Sequence, residues 1–266
     1  YIVNMQMGAL DGLRGTGTEL VVHPCDRRSD NFIDDIREFV ERQRLAGVII
    51  LPPIAEDKRL LDLLDDLEVP YVRITARAGE LNVPPIDSPQ IVSRDRAGCA
   101  LAGEHIAALG HTRIGYIAGN TIYPSAHERR AGFEEGLAKH GLKIAADLDM
   151  DGDYSFESGY EAAMKILQNP VRATAIICGN DEMAAGAYKA AYEMGLRIPD
   201  DLTLIGFDDA PVSTRIYPPL TTVRLPTIDM GRTAANMLMS AEPDHETTIV
   251  FDATLLVRAS SGPKPK

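Results

Sequence analysis

The sequence predicts an α/β protein assembled from parallel βαβ units. Short runs rich in Val and Ile alternate with helical patterns along nearly the whole chain. The helices between them run to about 10–16 residues, long enough for parallel crossovers. A length of 266 residues suits two lobes or one large domain. A Pro-rich passage, ELNVPPIDSPQ from Glu80 to Gln90, breaks the rhythm as a linker or a crossing between lobes would.

The chain opens on a helix whose Val3, Met7 and Leu10 share a face, with no strand before it. A first strand is therefore expected to be missing. ELVVH, ending at His23, reads as a strand, followed by a helix striped with Phe32, Ile36 and Phe39. GVIIL (Gly47 to Leu51) precedes a helix carrying Leu60, Leu64 and Leu67, and PYVRI begins a strand at Tyr71. Beyond the Pro-rich passage, a small-residue helix from Asp95 to Leu109 ends at Gly110, a natural C-cap. RIGYIAG is a strand, and SAHERRAGFEEGLAKHG a helix with Phe133 and Leu137 on one face. DLDMDGDYSFESGYEAAMKIL gives a short strand, a loop from Gly152 to Ser155 and a helix. Two strands then end in acidic turns, AIICGNDE and LTLIGFDD. PPLTTVRLP leads to a last helix with Met230, Ala234, Met237 and Leu238, and the strands TTIVF and TLLVR follow. The tail SSGPKPK reads as disordered in composition.

The two acidic turns suggest one wall of a site, because ligands in open α/β sheets bind at the ends of strands just before helices. Net charge is −12, which opposes phosphate binding by this chain. No run approaches the roughly 18 apolar residues of a membrane span. Three scattered cysteines form neither a disulfide framework nor a metal-ligand pair, in keeping with a reduced cytoplasmic setting.

Several apparent motifs fail on chemistry. GLRGTG follows a helix instead of joining a strand to one, so it reads as a cap and turn, not a dinucleotide fingerprint. The acidic run Asp149, Asp151, Asp153 has Tyr154 where a calcium loop needs glycine. HERRA is no zinc motif, and no nucleophile elbow occurs. No cofactor, metal or catalytic constellation is predicted.

GEHIAALGHTRIGYIAGN…SAHERRAGFEEGLAKHG, AIICGNDEMAAGAYKAAYEMGLRIPDDLTLIGFDDAP and YPPLTTVRLPTIDMGRTAANMLM closely resemble the effector-binding domain of the LacI/GalR family of bacterial transcription regulators. LLVRASSGP looks like that family's last strand, and together the motifs span Cys99 to Pro263. The resemblance implies a periplasmic-binding-protein-like fold of type I: two doubly wound parallel-sheet lobes joined by three crossing strands. The expected lobes are 1–92 plus 227–251 and 93–226 plus 252–260, with 261–266 as a tail and crossings near Gln90, Pro226 and Asp252. The family's DNA-binding head and first strand are absent from this chain. Operator DNA would be reached only through that head.

By the same resemblance, Arg129 in SAHERRAG, Asn180 and Asp181 in GNDEMA, Asp208 in GFDDA and Tyr154 in DYSFESGY contact the ligand, with Phe156 as the alternative aromatic. Thr75 and Ser93, at first-lobe strand ends, are further candidates. The chemistry suits a sugar, whose hydroxyls both donate and accept: a guanidinium fork, a carboxylate and an amide satisfy both demands, and an aromatic ring covers the sugar's C–H face. Other readings stay open. Arg129 could pair with Glu128 or Glu134 on the helix surface, Asp181 and Asp209 could cap helices, and Tyr154 could be a core aromatic. Leu225 stands where several sugar repressors carry a polar residue.

These features lead us to expect a cytoplasmic homodimer that senses a small sugar-like effector without turning it over. Its dimer surface should draw on Val3, Met7 and Leu10 and on the helix of Leu60 and Leu64. Effector binding would shift a population of lobe arrangements. The rivals are a transporter's periplasmic sugar-binding protein, usually monomeric and exported, and an α/β enzyme, which would need an acid–base pair with a nucleophile or metal.

Overall fold

The computed structural model describes residues 1–76, 88–240 and 247–265. The expected linker therefore lies largely outside the described residues, and its end enters a strand at Gln90. Two compact units emerge, Tyr1–Ser93 with Pro226–Phe251, and Arg94–Leu225 with Asp252–Lys266. The chain passes between them three times.

In the first unit the described elements are α1 (Ile2–Gly12), α2 (Phe32–Gln43), β1 (Val48–Ile50), α3 (Lys58–Asp66), β2 (Tyr71–Thr75), β3 (Gln90–Arg94), α9 (Thr227–Leu238) and β9 (Thr248–Asp252). The sheet order is β1-β2-β3-β9, with β1, β2 and β3 parallel. Alternation along β2 sorts its side chains. Val72 and Ile74 join Met5, Ile91, Met230 and Ala234 in one cluster, while Tyr71 joins the α2–α3 cluster. Helices on both faces make the sheet doubly wound.

Two expectations for this unit are corrected. ELVVH forms no strand: Val21 and Val22 are exposed, and β1 is the outer member of its sheet. A strand exists only as a hydrogen-bonded partner, and the residues' β-propensity could not supply one. Leu60 and Leu64 face inward, almost wholly buried against Phe32, Ile36 and Ile50, and so present no surface to a second subunit. Val3, Met7 and Leu10 remain exposed on α1, whose other side, through Met5 and Ala9, is buried.

The second unit holds α4 (Asp95–Ala108), β4 (Ile114–Ala118), α5 (Pro124–Ala138), β5 (Asp149–Asp151), α6 (Phe156–Gln168), β6 (Ala175–Cys178), α7 (Asp181–Glu193), β7 (Thr203–Phe207), α8 (Val212–Arg215), β8 (Thr221–Arg224) and β10 (Thr254–Leu256). Its six strands run β10-β8-β7-β6-β4-β5, all parallel except β10. Strands β4, β6 and β7 are fully buried, as expected of a sheet covered on both faces. One cover is α6 and α7, packed through Ala163, Ile166, Ala184 and Ala187. Helices α4 and α5 pair closely because Gly132 and Gly136 have no side chain: a Cβ on either would fall 2.1–2.2 Å from a carbonyl oxygen of α4.

The tail is also corrected. Ser260 is fully buried, its Oγ donating to the Leu204 carbonyl at 2.6 Å and accepting from the Thr221 amide at 2.7 Å. The Gly262 carbonyl lies 3.0 Å from His111 Nε2, and Thr203 Oγ1 donates to it at 3.1 Å. Small polar residues, disordered by composition, are here the hydrogen-bond partners of a buried strand. No described helix is long and apolar enough to cross a membrane.

Candidate functional site

Strands β4, β6 and β7 are parallel neighbours, so their carboxyl ends share one edge of the second unit's sheet. The turns there begin at Gly119, Gly179 and Asp208. Helix α5 brings Arg129 to this edge, and the close α4–α5 approach sets it against Asp95, the first residue of α4.

Arg129 is the hub. Its Nε donates to Asp95 Oδ2 at 3.0 Å, Nη1 to the Gly179 carbonyl at 2.7 Å and Nη2 to Asp208 Oδ1 at 3.3 Å. The guanidinium also stacks on Phe207, 3.6 Å from the ring centroid, with the Tyr154 ring at 5.9 Å. Burial opposes its charge, but Asp208 and Asp95 outweigh that and hold its pKa above the usual arginine value. Arg129 pairs with neither Glu128 nor Glu134; the neighbouring Arg130 takes Glu134 and Asp149.

Asp208 follows β7 directly, with φ at 106°, and Asp209 follows with φ at 54°. Such non-glycine conformations cost on the order of 1–3 kcal/mol each and persist where surroundings enforce them. Burial raises the Asp208 carboxyl, with Arg129 pulling the other way. Tyr154 is a third positive-φ residue, at 74°. Asn180 steadies it by donating from Nδ2 to the Tyr154 carbonyl at 3.0 Å, while Asn180 Oδ1 caps α7 by accepting from the Met183 amide at 2.9 Å. The Tyr154 ring lies over Gly119, where a Cβ would fall 2.1 Å from its Cζ, and meets Tyr123 edge-on at 5.6 Å.

Asp181 is fully buried. Its Oδ2 accepts from the Ala210 amide at 2.7 Å and its Oδ1 from Thr222 Oγ1 at 2.6 Å. Burial and the nearby Asp208 charge raise its pKa well above the ordinary carboxyl value.

The fold thus gathers Arg129, Asp208, Asn180 and Tyr154 at one edge, with Asp181 behind them. Phe156 opens α6, half-buried, while the rings that Arg129 meets are those of Phe207 and Tyr154. Thr75 and Ser93 lie together in the first unit, Ser93 Oγ 3.5 Å from the Thr75 carbonyl. Among the described residues no cluster of His, Cys, Asp and Glu could hold a metal ion.

The model of the periplasmic binding protein-like domain matches residues 104–261. The probable HTH-type transcriptional repressor ExuR of Bacillus subtilis (strain 168) is 31% identical over 233 residues, covering 86% of this chain and 68% of its own. The regulator GalR of Escherichia coli (strain K12) is 33% identical over 226 residues, covering 84% of this chain and 64% of its own. This chain belongs to the LacI/GalR family. It is an effector-binding domain of that family, and it spans about two thirds of the length of these relatives. A solved structure, the complex of the transcriptional regulator CelR with cellobiose, superposes with a TM-score of 0.84 at 28% identity, covering 97% of this chain and 78% of that one.

Sequence reasoning missed three members of this cluster around Arg129: Asp95, Phe207 and the Gly179 carbonyl. Asp95 had the same signal as Asp208, an acidic residue straight after a strand (IVSRD). Phe207 looked like one more core residue of β7.

Proposed function

We propose that this chain is the sensor portion of a transcriptional repressor and binds a neutral sugar or sugar-like effector, with no chemical turnover. One observation carries the reading: a buried arginine fork held between two carboxylates, beside a tyrosine ring, at the carboxyl ends of parallel strands. Arg129 has five N–H donors, and three of its bonds go to protein groups, which leaves donors for hydroxyl oxygens. Asp208 accepts from hydroxyls, and the Tyr154 face suits an apolar sugar face. Asn180 and Asp181 hold the turns in place.

Charge supports a neutral ligand. One guanidinium faces two carboxylates, so a uronate or a phosphorylated sugar would meet a cation already matched and a surplus of negative charge. The cellobiose complex of a relative points the same way. The proposal extends to a cytoplasmic homodimer that uses the exposed α1 face and meets operator DNA through a separate head. Effector binding would bias one conformation by its differential affinity.

A thermal-shift screen tests the effector class. Neutral mono- and disaccharides, hexuronates, sugar phosphates and nucleobases would be compared. A ligand at about 100 times its dissociation constant adds roughly 2.7 kcal/mol of stability. Stabilisation by a neutral saccharide is expected; stabilisation by acidic sugars or nucleobases alone would contradict the reading.

A further inference from the structure

The turn after β7 places two consecutive aspartates at positive φ. Such a pair persists only where its surroundings hold it, and two anchors from outside the turn do so. On the α7 side, Asp181 takes the Ala210 amide. On the opposite side, Arg258, two residues beyond β10, reaches in from the chain's closing segment. Arg258 Nη2 donates to Asp209 Oδ1 at 2.5 Å, while Nη1 donates to Ser213 Oγ at 2.9 Å and to the Leu220 carbonyl at 3.0 Å. Ser213 Oγ in turn donates to Asp209 Oδ1 at 3.1 Å. The base of Arg258 is fixed as well, its amide donating to Thr221 Oγ1 at 2.9 Å and its carbonyl accepting from the same hydroxyl at 3.1 Å.

We propose that Arg258 is a positioning residue for effector binding: by gripping Asp209 it keeps the turn left-handed and aims the adjacent Asp208 at Arg129 Nη2. The proposal rests on the reading of Arg129 and Asp208 as effector-gripping residues. The geometry demands a guanidinium at this position. Its planar fork reaches a carboxylate, a hydroxyl and a carbonyl at once, whereas a lysine offers a point charge on a flexible stem.

The test needs no identified effector. Side-chain N–H signals of Arg129 are followed by NMR in the full chain labelled with 15N-arginine, assigned by their loss in Arg129→Lys. Hydrogen exchange of the Ala210 amide is read in parallel. In Arg258→Gln the Arg129 signals should move, and the Ala210 amide should exchange about tenfold faster or more as the turn opens locally. Arg258→Lys, keeping charge without the fork, should recover part of both. Should Arg258→Gln fail to fold, Asp209→Asn removes the ion pair with nearly unchanged shape and should give the same changes. Wild-type Arg129 signals and wild-type Ala210 exchange in a folded Arg258→Gln, or in a folded Asp209→Asn, would overturn the proposal. A separate titration of Asp208→Asn with the neutral saccharide panel reports on the effector reading alone. Unchanged affinity there removes the effector role of Asp208, while the Arg129 spectrum still shows whether Arg258 aims it.

Discussion

Arg129 Nε and Asp95 Oδ2 meet at 3.0 Å, joining two helices through an ion pair whose partners are both nearly inaccessible to water. Breaking such a pair from one side costs about 3–5 kcal/mol where the other charge is left alone. Asp208 still faces Arg129, so Asp95→Ala is expected to cost the lower part of that range in urea unfolding. Asp95→Asn, still able to accept from Nε, should cost clearly less. Equal losses would mean that the retained acceptor contributes nothing and that the Asp95 charge carries the whole effect.

Gly119 and Tyr154 make a second testable pair. All three atoms nearest to a Cβ at Gly119 belong to the Tyr154 phenol, two ring carbons and the hydroxyl oxygen. Gly119→Ala must therefore displace that ring and should destabilise by roughly 1–3 kcal/mol. Adding Tyr154→Ala should relieve the clash, so the double variant should lose less than the sum of the singles. Additive losses by denaturant titration would show that the ring does not depend on this glycine.

Most of the second unit was legible in the sequence, because buried parallel strands read as continuous apolar runs and their helices end in glycines such as Gly110 and Gly141. The failures share a cause, since each depended on partners distant in the chain. Val21 and Val22 have strand character, but a strand requires a neighbour. Ser260 and Gly262 look like tail residues until Leu204, His111 and Thr203 claim them. Within the site, Arg129 and Asp208 could be named from motifs, whereas the bond between them and the role of Asp95 required the α4–α5 approach.

Asp181 predicts a pH signature. Its folded-state pKa is raised by burial and by the nearby Asp208 charge. Across the window between the ordinary carboxyl value and that raised value, the folded state keeps a proton that the unfolded state has released. Stability from this group is therefore present at low pH and lost as pH rises through the window, at up to about 1.4 kcal/mol per pH unit. Asp181→Asn can still accept from the Ala210 amide and donate to Thr222 Oγ1, so it should fold and show a flatter profile. Parallel stability–pH curves for the two proteins would count against a protonated Asp181.

Helix α1 leaves Val3, Met7 and Leu10 each more than half exposed on one face. A second copy of the chain is the proposed cover. Light scattering should give a dimer mass, and Met7→Asp should shift it to monomer without loss of helix content by circular dichroism. A wild-type monomer at tens of micromolar would remove the dimer from the account.

The most direct test of the central claim is a calorimetric titration of Asp208→Asn with the saccharide that the screen identifies. Asp208 is the better target, because Arg129 also holds Asp95 and its removal would confound folding with binding. Losing the charge-assisted hydrogen bonds of one carboxylate should weaken binding by about 1.5–3 kcal/mol, roughly ten- to a hundred-fold. The thermal transition of the free protein is read alongside, because the amide still accepts from Arg129 Nη2 but loses the ion pair. Wild-type affinity in Asp208→Asn would contradict the site.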